Sequence, residues 1–242
     1  MSSYFSNVLQ YVIQPWDSIP SIGRRFNISM ETIMKANPGI HPHSLFVGQM
    51  INIPSIARAT HYISKEELAL NNKMRLLWEQ HIAWTRMVIT SIIFNLPNVN
   101  AVSARLLQNA TDMGNSLRPY YGDQLANTYS NLIKEHLLLA ADLVKAALAG
   151  NTQAAADIEK KWYANADQIA QFLSSINPYL KKEEVRKMLY EHLALTKTEA
   201  VSMISKDYKT DIAMYDKIEA QALEMADAIS GAIVQQFPHK FK

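Results

Sequence analysis

Leu76-Leu77-Trp78-Glu79-Gln80-His81-Ile82-Ala83-Trp84-Thr85-Arg86 lies inside a long run of helical spacing. Counting alternately by four and three through it selects Leu70, Met74, Leu77, His81, Trp84, Val88 and Ser91. Such a stripe is the buried face of an amphipathic helix, and here it carries a histidine at its centre.

The same count works on the segments that follow. Helices are expected over 64–95, 99–115, 121–149, 152–176, 181–206 and 209–236. The first opens on the capping box Ser64-Lys65-Glu66-Glu67. Stops stand at Asn95-Leu96-Pro97, Gly150, Asn177-Pro178 and Pro238. The short connections predict a six-helix up-and-down bundle over 64–242. No internal repeat is evident at this level.

The stripes share an unusual content. They place His81, Asn109, His136, Asn165, His192, Glu199, Asp216 and Glu219 among apolar residues near the helix middles. A buried ionisable group costs several kcal/mol unless it is paired, so several at similar depth are expected to meet. Two readings are open. His81, His136 and His192 with Glu199, Asp216 and Glu219 form a ligand set suited to a divalent transition metal. Alternatively, the same side chains pair with one another and fix helix register. A ferritin-like di-iron site needs Glu-x-x-His on two helices, and no Glu in the chain satisfies it. Nucleophile-elbow and P-loop motifs are lacking too, so the reading leans away from an enzyme.

Composition narrows the classes further. Of 242 residues, 48% are hydrophobic and 19% charged, as in a folded globular protein. The formal charge of +2 is too small to argue for nucleic acid. Without cysteine there is no disulfide, thiolate nucleophile or zinc-thiolate site. The longest strongly apolar run, 87–94, is far short of the ~20 residues of a membrane span. Residues 1–9 lack the basic and apolar regions of a secretory signal.

Residues 10–54 read differently. Tyr11-Val12-Ile13 is a β-prone run broken by Pro15 and Trp16, and Asp17 stands where a helix cap belongs. Ile19, Ile22 and Phe26 follow at helical spacing, and Asn27 ends that helix. Ser29 caps a second helix that stops at Asn37-Pro38-Gly39. Val47-Gly48 turns into the strand Met50-Ile51-Asn52-Ile53-Pro54. The expected fold class is therefore an α+β N-terminal module, βααβ, followed by a mainly α-helical bundle. The expected division is 1–56, a linker over 57–63, and 64–242.

The module resembles the LysM family. Tyr11-Val12-Ile13-Gln14-Pro15, Asp17-Ser18-Ile19, Arg24-Arg25-Phe26, Ala36-Asn37-Pro38 and Val47–Pro54 carry the likeness in order and spacing. The resemblance implies binding of N-acetylglucosamine polymers, peptidoglycan or chitin, between the loop after the first strand and the loop after the second helix. By position it implicates Trp16, Asp17, Ser18, Asn37, Pro38, Gly39 and Ile40. Two residues depart from the family pattern: Trp16 replaces the usual Gly, and Pro20 the usual aromatic or aliphatic residue. A tryptophan face offers apolar area to a sugar ring, or it fills the groove.

The helical region is similar to a domain found behind LysM modules in Gram-positive spore-forming bacteria. The pieces are Trp78–Arg86, Glu135–Leu137, Asn165–Asp167, Ile176–Tyr179 and Gln221–Asp227. This implies a cell-wall or spore-surface protein, made in the mother-cell cytoplasm and self-associating. A metal-binding bundle and a phage-like tail or baseplate component are the alternatives.

Overall fold

The computed structural model describes residues 8–15, 17–26, 28–42, 45–54 and 63–242. The chain divides into two compact units, 1–62 and 63–242.

In the first unit, β1 (Val8–Val12) pairs antiparallel with β2 (Met50–Pro54), with Tyr11 opposite Ile51. Helices α1 (Ile19–Phe26) and α2 (Met30–Ala36) lie between them in sequence. Ile13, Ile19, Ile22, Ile33, Ile51 and Ile53 form one buried cluster. The alternation in β2 sends Ile51 and Ile53 inward and Met50 and Asn52 outward. Ser18, not Asp17, caps α1: its Oγ accepts from the Ser21 amide at 3.2 Å, and Ser21 Oγ accepts from the Ser18 amide at 2.8 Å. Ser29 caps α2 through the Thr32 amide. Asn27, expected to end α1, lies outside the described residues.

The second unit holds α3 (Lys65–Ile93), α4 (Val99–Leu148), α5 (Thr152–Ile176), α6 (Lys182–Ile204) and α7 (Tyr208–Gln236). The Ser64 hydroxyl accepts from the Glu67 amide, as the capping box predicts. α4 is two helices joined at Gly122, whose φ of 79° breaks the spiral. Its first half runs past the expected end at 115, through Pro119. The second half folds back: a Cβ on Gly114 would stand 2.6 Å from the Ala126 carbonyl oxygen and 2.7 Å from Ser130 Cβ. Only glycine permits that approach. Gly114→Ala is expected to force the halves apart and cost about 1–3 kcal/mol, lowering the thermal midpoint by about 5 °C. A midpoint equal to wild type in a melting experiment would refute this.

Side-chain pairings show that neighbouring helices run antiparallel. Asn109 meets Leu77, His136 meets Asn165, Glu159 meets Lys197, His192 meets Gln221, and Arg75 meets Asp227. These contacts close a circuit from α3 through α4, α5, α6 and α7 back to α3.

The circuit contains a repeat that the apolar spacing alone does not reveal. His81, His136 and His192 follow one another after 55 and 56 residues. Each sits on the first helix of a hairpin. The second helix then brings an amide residue: Asn109-Ala110, Asn165-Ala166 and Gln221-Ala222. In every hairpin the amide NH2 donates to the carbonyl four residues before the histidine. The distances are 2.9 Å to Leu77, 3.1 Å to Leu132 and 2.9 Å to Met188. Beyond the amides, Met113-Gly114, Ile169-Ala170 and Met225-Ala226 occupy matching buried positions. The helical unit is thus three copies of one helical hairpin.

A polar core in the bundle and two loops on the LysM-like unit

On the small unit, both segments suggested by family position have their main polar side chains already engaged. The Asp17 side chain is only 2% exposed. It accepts from Tyr11 Oη at 2.6 Å, from the Gln14 amide at 2.9 Å and from Arg25 at 3.0 Å. The tyrosine hydrogen bond, the backbone amide and Arg25 together lower its pKa against the cost of burial. Arg25 also lies over the Tyr11 ring, which packs edge-on against Phe26. Asp17 is therefore the latch of the β1–α1 loop.

Asn37 is occupied in the same way. Its Nδ2 donates to the Ile33 and Asn52 carbonyls at 2.8 and 2.6 Å, and its Oδ1 accepts from the Asn52 amide at 2.7 Å. It ties the end of α2 to β2. Ser18 is spent on the cap. What remains toward solvent is Gln14, Pro15, Pro38 and Gly39, with Ile40 half-buried. Gly39 has a φ of 97°, which favours glycine. Ile13 and Ile40, one on each segment, belong to or pack against the same apolar cluster. Trp16 lies outside the described residues.

In the helical unit His81, His136 and His192 are buried. Their rings gather with two tryptophans: His81 and His192 are 5.9 Å apart, Trp78 lies 5.5 Å from His81, and Trp162 lies 5.3 Å from His136. The partners of the histidines are amides rather than carboxylates. His136 Nδ1 lies 3.0 Å from Asn165 Oδ1, and His192 Nδ1 lies 3.1 Å from Gln221 Oε1. Each amide NH2 is committed to a carbonyl, so its oxygen accepts and the imidazole carries its proton on Nδ1. Asn109 faces His81 likewise, but His81 Nδ1 and Asn109 Oδ1 stay unbonded. Burial pushes His136 down to about 3 and His192 to about 4, and His81 well below the usual range. All three are neutral imidazoles near pH 7.

The expected ligand set does not assemble. Glu199 is bound to Arg86, Asp216 is exposed, and Glu219 is half-buried beside Glu79. Among the described residues no group of three or more His, Asp or Glu is arranged to hold a metal ion. The pairing of the histidines with Glu199, Asp216 and Glu219 is corrected for the same reason. Two of the three neutral imidazoles are satisfied by neutral amides, and of the three acids Glu199 is bound to a cation instead.

That cation is Arg86, which the stripe count passed over. It donates twice to Asp211, at 2.8 and 3.0 Å, and once to Glu199. Both carboxylates are buried. Arg86 also stacks over Tyr215 at 5.1 Å. Asp211 takes the bidentate share. Glu199, left with one bond in a dry site, is pushed up to about 7, mainly by burial and partly by Asp211. A signal for this triad was present. Arg86 lies four residues from Ile82 and three from Ile89, on the edge of the buried face.

The family model of the LysM domain matches residues 11–54. No curated protein and no solved structure matches the chain. The match spans the end of β1, both helices and all of β2, in the βααβ order observed. Residues 11–54 of this chain are a LysM domain, and a largely helical region follows it.

Proposed function

We propose that this protein is a non-enzymatic component of a cell-wall or spore surface, held there by its LysM domain on peptidoglycan or another N-acetylglucosamine polymer. The family match over 11–54 carries the reading. Asp17, Ser18 and Asn37 act as scaffold in it, because their polar atoms are already engaged. The sugar then meets Trp16, Pro38, Gly39, Ile40 and the backbone amides and carbonyls of the two loops. Pyranose faces are apolar and their edges polar, which suits a flat hydrophobic side chain beside main-chain groups. The helical unit is the passenger, with its own core and with the buried Glu199 and Asp211 held by Arg86.

The full chain is expected to sediment with purified, insoluble peptidoglycan. Trp16→Ala should weaken that binding about tenfold, through the loss of one aromatic face. A wild-type chain that stays in the supernatant overturns the proposal. A Trp16→Ala chain that binds as well as wild type removes Trp16 from the site.

A further inference from the structure

The two-stranded sheet of the small unit has two outer edges, and they are finished differently. Ile13 exchanges main-chain bonds with Gln49 and Gly48, so Ile13, Tyr11 and Leu9 turn their N–H and C=O groups toward β2. Gln10, opposite Asn52, turns its two groups away from β2, and Val8 and Val12 follow it. On the β2 side the outward groups are guarded. Asn37 takes both the N–H and the C=O of Asn52, and Pro54 has no N–H to offer. On the β1 side the Val12 carbonyl accepts from Gln14 Nε2 at 3.0 Å. Among the described residues no strand or side chain bonds the outward groups of Val8 and Gln10.

Sheet edges in soluble proteins are commonly protected by a lysine, a proline, a bulge or a covering loop. Val8-Leu9-Gln10-Tyr11-Val12-Ile13-Gln14 carries no charge and no proline. Its side chains Val8, Leu9 and Val12 are apolar and exposed. Leu9 is the most informative. Its cross-strand partner Ile53 is buried in the apolar cluster, so Leu9 stands on the core face of the sheet, yet it is 51% exposed. Its open flank is the one away from β2.

We infer that β1 is an interface for a second copy of this chain, the two β1 strands pairing antiparallel about a two-fold axis at Gln10. The groups left open are main-chain donors and acceptors in strand spacing, so the partner they fit is an extended strand. The side chains select which strand, because β1 is self-complementary in this register. Gln10 meets Gln10 of the second copy, and the two exchange both main-chain bonds. Val8 meets Val12 of the second copy on one face, apolar against apolar. Leu9 meets Tyr11 of the second copy on the other, which gives the exposed leucine an aromatic neighbour. No like charges are brought together, since the strand has none. The product is a four-stranded sheet whose two outer edges are both the edge that Asn37 guards. The β1 edge contains neither Trp16 nor Pro38, Gly39 and Ile40, so the inference does not depend on glycan binding.

Sedimentation equilibrium of the full chain, from about 1 µM to about 1 mM, tests it. The mass is expected to rise from 27.4 kDa toward twice that value, with a Kd on the order of 100 µM for so small an interface. Gln10→Pro removes an N–H that the fold itself does not use. It is expected to weaken the dimer about thirtyfold, through two symmetric main-chain bonds, without unfolding the domain. Gln10→Lys and Gln10→Glu each set like charges face to face on the axis and should each weaken association about fivefold. Mixed in equal amounts, these two chains are expected to associate at least as well as wild type, because opposite charges then meet. A wild-type chain that stays at 27.4 kDa throughout overturns the inference. So does a folded Gln10→Pro chain that dimerises like wild type. If Gln10→Pro does not fold, the charged pair decides: a mixture no better associated than either chain alone places any dimer elsewhere and overturns the β1 pairing.

Discussion

Replacing Arg86 by methionine is expected to cost the helical unit about 3–5 kcal/mol. The substitution keeps most of the aliphatic stem and removes the guanidinium together with its stacking over Tyr215. Asp211 loses two hydrogen bonds and Glu199 loses one, and both carboxylates are buried. Glu199 sits near neutrality of charge already, at about 7, and without Arg86 its pKa rises further. It therefore takes up a proton in the variant, so the penalty is smaller at pH 6 than at pH 8. Asp211 lies in the first turn of α7, where helix N–H groups favour a negative charge. A denaturation series at the two pH values checks both claims. The triad as a whole is replaceable in principle, because a buried ion cluster repays little beyond its own desolvation. A variant in which Arg86, Glu199 and Asp211 all become apolar should recover most of what Arg86→Met loses. An Arg86→Met variant within 1 kcal/mol of wild type at pH 8 would show that the charges are hydrated rather than paired.

Much of this architecture was legible in the sequence, and the failures have physical causes. The LysM domain and the helical character of the rest follow from turn residues, caps and the 3.6-residue period. The roles of Asp17 and Asn37 do not. An acid before a helix reads as a cap, and only the structure shows Ser18 capping while Asp17 holds Tyr11 and Arg25. A stripe that buries Asp216 and Glu219 also buries Ile212, four residues before Asp216, yet Ile212 is 57% exposed. Arg86 draws Asp211 inward instead, and that one-residue change of phase carries Asp216 out to solvent. The repeat was hidden by a similar slip. Glu79 stands two residues before His81, whereas Glu135 and Glu191 stand one before His136 and His192. The glutamates attract attention, but the repeating elements are the buried histidine and the amide that clamps its helix.

The histidine core sets a stability profile with a maximum near neutral pH. The native imidazoles are neutral, with His136 at about 3, His192 at about 4 and His81 well below its ordinary 6.5. In the unfolded chain all three protonate near 6.5. Below that pH the unfolded state binds more protons, so stability falls as the pH drops. Glu199 acts in the opposite sense. Its native value of about 7 exceeds its ordinary 4.5, so its contribution is full below 4.5 and is lost as the pH rises to 7. Between about 4.5 and 6.5 the unfolded state takes up three protons where the native state holds one on Glu199, a difference of two. Each proton is worth about 1.4 kcal/mol per pH unit, so stability should fall by about 2–3 kcal/mol per unit there. The marginal stability of a typical domain is exhausted within a few such units. Denaturant midpoints at half-unit steps from pH 4.5 to 8 measure the slope. Imidazole resonances assigned to these three residues should show no titration above pH 5 in the native state. A flat profile from 5 to 7, or native resonances that titrate near 6.5, would place the histidines in contact with water and undo the account of the clamped core. His136→Gln separates the causes further. It retains a polar partner for Asn165, removes one titrating group, and should flatten the slope by about one proton while costing stability at pH 7 through imperfect packing against Trp162.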